Sequence, residues 1–147
     1  MGFHLYLLYF NYEVARKKKQ REPEYRLRVF SIQNSESKPV LVFVVETTKE
    51  FVNFHYELLL ADERNGKDIT LKILGIHTPR SVMPGVGPAR GVRRYENLSG
   101  PVSVTMRNPD GEANTFRINV RKSSIELMDS PPHPFVRFST ETIELPE

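Results

Sequence analysis

Apolar and polar residues alternate with a period of two along most of this chain. Tyr25, Leu27 and Val29 alternate with Arg26 and Arg28, the pattern of a strand with one face buried. The apolar parity changes at Phe30 and Ile32, which requires either a bulge or burial of both faces at that end. Val40 to Val45 is an unbroken apolar run rich in β-branched residues. It predicts a central strand covered on both sides.

Residues 47–66 carry two competing signals. Thr47 and Glu50 have capping-box spacing, and Asn65-Gly66 would close a helix. Against this, Phe54, Tyr56, Leu58 and Leu60 alternate with Asn53, His55 and Glu57. Ile69, Leu71 and Ile73 repeat the alternation beyond Asn65-Gly66. The shared period favours a hairpin. A second hairpin joins Val102, Val104 and Met106 to Phe116, Ile118 and Val120 through Asn108-Pro109-Asp110-Gly111. That turn matches a type I turn followed by a left-handed residue.

Between the hairpins, Pro79, Pro84, Gly85, Gly87, Pro88 and Gly91 predict a long irregular loop over 78–100. After Val120, Ser123 to Met128 extends the second hairpin, and Pro131-Pro132-His133-Pro134 stops it. Phe135-Val136-Arg137-Phe138 predicts a last edge strand of the same sheet, within an extended acidic tail at 129–147. Together these elements predict a single all-β domain over 1–147. The expected architecture is an antiparallel two-sheet β-sandwich of seven or eight strands, with an OB-like β-barrel as the alternative.

The N-terminus adds an aromatic segment. As a strand, Phe3 to Tyr12 would be apolar on both faces. It is then either central in the fold, or Phe3, Tyr6, Tyr9 and Phe10 form a contact with a second copy or a partner. Its basic residues follow the apolar run rather than precede it, unlike a secretory signal, and the run is too short to span a membrane. The sequence therefore reads as cytoplasmic, with no transmembrane segment. A reversible membrane-surface contact through these aromatics and the basic run from Arg16 to Arg21 is a minor alternative.

Composition narrows the chemistry. There is no cysteine, which excludes disulfides, a thiol nucleophile and Cys-ligated zinc or iron–sulfur sites. His4, His55, His77 and His133 show no metal-ligand spacing. Neither a nucleophile elbow nor a phosphate-cradling glycine loop occurs. The reading is a non-catalytic protein with no cofactor or metal.

The net charge of +3 is unevenly placed. Residues 80–122 hold eight basic and three acidic groups, while 123–147 hold one and five. Either the acidic tail lies on a basic face of the same molecule, or that face meets an anionic partner. Arg80, Arg90, Arg93 and Arg94 gather with Tyr95 in the expected loop. Arg107, Arg117 and Arg121 fall on the polar side of the following hairpin and would extend one basic face. Guanidinium forks suit carboxylate and phosphate, and arginine and tyrosine are common at interface hot spots. The expected function is a protein-docking or self-association module. A single-stranded nucleic-acid-binding OB-like domain is the alternative, and a small enzyme without a recognisable motif a third reading.

Overall fold

Among the described residues nine strands follow one another: β1 (Tyr25–Gln33), β2 (Pro39–Phe51), β3 (Glu57–Asn65), β4 (Asp68–His77), β5 (Gly87–Glu96), β6 (Gly100–Arg107), β7 (Ala113–Val120), β8 (Ile125–Asp129) and β9 (Val136–Ser139). The computed structural model describes residues 22–78, 84–122 and 124–145. Within it the strands form one hydrogen-bonded sheet in the order β8-β7-β6-β4-β3-β5-β2-β1-β9. The sheet curls into a half-barrel around a shared core that runs from Leu27 and Phe43 to Met106 and Ile118. No helix occurs among the described residues, so none is long and apolar enough to cross a membrane.

The strands do not divide into the two antiparallel sheets expected, and they number nine rather than seven or eight. The β1–β9, β3–β5 and β4–β6 junctions are parallel. Period-two alternation decides which face a side chain takes. It does not say which distant strand lies beside it.

β2 sits between β1 and β5 and is buried on both faces along Val40–Val45, as its composition predicts. Leu41, Phe43 and Val45 point into the half-barrel. Val40, Val42 and Val44 point outward and join Phe30 in a second apolar cluster, covered by Val92, Ile143 and Leu145. This outer cluster accounts for Phe30, while Ile32 at the end of β1 is exposed. The β1–β2 register runs without a shift, so β1 has no bulge. Each fully buried large side chain, Phe43 or Phe116 for example, contributes about 1.5–3 kcal/mol.

Both hairpins form. In the β3–β4 loop, Gly66 takes the first central position with φ 63°, the place where a type II′ turn requires glycine. No helix competes over 47–66. At the β6–β7 turn, Gly111 N–H donates to Asn108 O at 3.0 Å, and Gly111 adopts φ 89°.

Residues 78–100 depart most from expectation. The Pro- and Gly-rich stretch contains a ten-residue strand, β5, laddered along β2. The prolines stand where the ladder is already interrupted. Pro84 forms an isolated bridge with Phe54, and Pro88 lies beyond the register shift between Glu46 and Glu50. Thr47 fills that irregularity: its Oγ1 accepts from Ala89 N–H and donates to Lys49 O.

The C-terminal segment closes the molecule. β9 pairs with β1, so the last strand joins its own sheet. Phe135 N–H donates to Asn114 Oδ1 at 2.8 Å, and Phe138 stacks on Phe116. The chain then crosses the outer face, where Glu141 meets Arg28 at 2.9 Å. Part of the acidic tail therefore lies against Arg28 of its own sheet, outside the basic 80–122 segment. Phe3, Tyr6, Tyr9, Phe10 and Arg80 lie outside the described residues.

Candidate functional site

β3 and β5 are parallel neighbours joined by a single ladder position, Glu57 opposite Arg90. Beyond it, side chains replace the ladder. Arg93 Nη2 donates to Leu60 O at 2.7 Å, and its Nε donates to Asp62 Oδ1 at 3.0 Å. The Tyr95 hydroxyl donates to Asp62 Oδ2 at 2.6 Å. Arg64 donates to the carbonyls of Glu96 and Asn97. Carbonyls at an unladdered seam still need donors, and long guanidinium forks supply them where backbone N–H groups do not reach. At Gly91 the strands approach closely: a Cβ there would lie 2.7 Å from Leu58 O.

The seam shifts two titrations. The Tyr95 hydrogen bond, with help from Arg93, holds the Asp62 carboxyl below the usual aspartate range. Burial first, and then Asp62, pushes the Tyr95 phenol well above its ordinary value. The stability tied to Tyr95 is thus fully present below the unfolded tyrosine value and is lost as pH rises through the folded one. Tyr95→Phe is expected to cost about 1–2 kcal/mol, because Asp62 retains Arg93. Urea denaturation measures this, and an unchanged midpoint would refute the role of the hydroxyl.

The outer face carries a second polar cluster. Glu46 is 1% exposed and follows directly on the buried run of β2. Arg26 Nη1 and Arg28 Nε donate to its Oε1 at 3.0 and 2.9 Å. Arg90 donates to Oε2 through Nε and Nη2 at 3.1 and 3.0 Å. Burial on its own would raise the Glu46 carboxyl, but hydrogen bonds from Arg28, Arg90 and Arg26 outweigh it and hold the group below the usual glutamate range.

Alongside, over the β3–β5 junction, lies an open groove of about 830 Å³. Tyr56, Leu59, Val86, Val92 and Leu145 give it an apolar lining, with Arg90, Arg93 and Arg94 adding positive charge against the one carboxylate of Glu57. Leu59 and Val86 are exposed, as are Leu74 and Ile76 on the adjacent β4. Among the described residues, no three His, Asp or Glu side chains gather closely enough to hold a metal ion.

The fold thus places Arg90, Arg93, Arg94 and Tyr95 on one strand and gives them different partners. Arg93 and Tyr95 stitch the seam, Arg90 holds Glu46, and Arg94 is exposed at the groove. Arg107, Arg117 and Arg121 belong to the other half of the sheet. β4 and β3 stand between β6 and β5, a separation of about 14 Å in strand spacings. Arg117 is in register with Asp129, and Arg121 pairs with Glu126 at 3.2 Å, so acidic groups interleave with these arginines.

Sequence reasoning does not single out Arg26, Arg28 and Glu46 as a site. The signal that marks them is a charge at Glu46 in phase with Val40, Val42 and Val44 on a buried strand. Leu59 and Val86 have no local signal, since their exposure depends on what packs over the outer face of the β3–β5 junction. Comparison with protein-family models, curated proteins and solved structures finds no match to this chain.

Proposed function

We propose that this chain is a non-catalytic docking module whose groove between β3 and β5 receives an extended, acidic and apolar segment of a partner protein. The observation that carries this reading is the chain's own tail. Residues 141–145 alternate acidic, polar and apolar side chains and lie along the same outer face. Glu141 is ion-paired with Arg28, Ile143 packs on the outer apolar cluster, and Leu145 reaches the groove lining. A partner segment of the same chemistry would place apolar side chains on Leu59 and Val86 and carboxylates on Arg94. This is the charge complementarity that sets register and partner choice.

The test is fluorescence anisotropy with a labelled decapeptide of alternating Glu and Leu, set against a Lys-Leu control and a single-stranded oligonucleotide. The Glu-Leu peptide is expected to bind, the Lys-Leu peptide not. Leu59→Asp and Val86→Asp should each weaken binding about tenfold or more with little change in stability, because both side chains are exposed. Equal binding of the two peptides, or indifference to both substitutions, would overturn the reading. Tight, salt-sensitive binding of the oligonucleotide alone would put a nucleic acid in its place.

A further inference from the structure

The geometry points to an oxyanion-binding site on the outer face at Arg26 and Arg28, suited to a phosphate group and held in shape by Glu46. It does not depend on the groove. Three guanidiniums converge on one carboxylate whose two oxygens each accept hydrogen bonds from them. Three positive charges meet the buried Glu46 and the exposed Glu141, and the remaining positive charge stays within a partly dehydrated cluster, with Arg28 only 12% exposed. Among the described residues Arg26, at 30% exposed, directs one Nη1 bond to Glu46 and leaves Nε and Nη2 for another acceptor. Arg137 on β9 is in register with Arg26 and adds a further cation beside it.

One anion already occupies part of this site. Glu141 accepts from Arg28 Nη1 at 2.9 Å while remaining 73% exposed. It sits on a segment that follows β9 and belongs to no strand, so it acts as a tethered carboxylate on a preorganised arginine pair. A phosphate monoester offers three acceptor oxygens and a higher charge than a carboxylate. It would displace Glu141 and bridge Arg28 to Arg26. Glu46 is the positioning residue here, because it fixes the guanidinium planes and does not touch the ligand.

The experiment is a titration of the full chain followed by the arginine Nε–Hε signals in NMR. The probes are inorganic phosphate, a short phosphoserine peptide and its unphosphorylated form. Both phosphate probes are expected to move the Arg26 and Arg28 signals. Glu141→Gln should tighten binding about five- to tenfold by removing the tethered competitor. Arg26→Lys in the Glu141→Gln background should abolish most of that gain while the spectrum of the core stays unchanged. Tighter binding of the phosphopeptide than of inorganic phosphate identifies a phosphorylated protein as the source, and the reverse order a free phosphate. Shifts no larger than those from sodium chloride at equal ionic strength, in both the wild type and Glu141→Gln, would overturn the site.

Discussion

Glu46→Gln is expected to destabilise the protein by about 3–5 kcal/mol, seen as a lower urea midpoint with an unchanged slope. The carboxylate is buried and accepts from Arg26, Arg28 and Arg90. An amide of the same shape leaves three converging cations with only the exposed Glu141, on Arg28, as counter-charge. The partial exposure of Arg26 and Arg90 lets water screen some of the repulsion, which places the expected loss toward the lower end of that range. The effect has a definite pH dependence. Glu46 titrates below its unfolded value in the fold, so its contribution is complete above the unfolded glutamate range. It is lost as pH falls through the folded value. The gap between wild type and Glu46→Gln should therefore narrow on acidification. A gap that stayed constant from about pH 7 to pH 3 would show that the carboxylate charge is not what stabilises this cluster.

Gly91→Ala is expected to cost about 3 kcal/mol despite being a one-carbon change. The added Cβ would stand 2.7 Å from Leu58 O and 2.8 Å from Leu60 Cδ1. The leucine side chain can rotate away, but the carbonyl belongs to β3 and cannot. Relief requires β5 to move from β3, which lengthens the Arg93 bond to Leu60 O and the Tyr95 bond to Asp62. Gly91→Ala and Tyr95→Phe should therefore be non-additive in a double-mutant cycle. Strict additivity would mean that the strand separation does not reach the Asp62 end of the seam.

The fate of residues 78–100 shows why local signals misread this region. Glycine and proline usually mark loops because they interrupt ladders and lose much backbone entropy in a strand. Here Gly91 permits a close strand approach, and Pro84 and Pro88 fall where pairing is already interrupted. Of the arginines that read locally as a free basic loop, Arg93 is engaged at the seam and Arg90 on Glu46, while Arg94 is exposed. A seam with one ladder position needs long donors, and Arg93 and Arg64 provide them.

Apart from β5, strands and the faces they bury are legible in the residues alone. Period-two alternation places Leu27, Leu71 and Ile118 inside, the Val40–Val45 run marks a strand buried on both sides, and the glycine turns set both hairpins. These are nearest-neighbour matters, decided by where successive side chains point and by which residues tolerate a given φ. Long-range packing made the remaining choices. It formed one curled sheet of nine strands, set β3 beside β5, gathered Arg26, Arg28 and Arg90 on Glu46, and laid Glu141 across Arg28. Those side-chain contacts join residues from 18 to 113 positions apart. Their energies depend on the mutual exclusion of water by strands that no local pattern pairs.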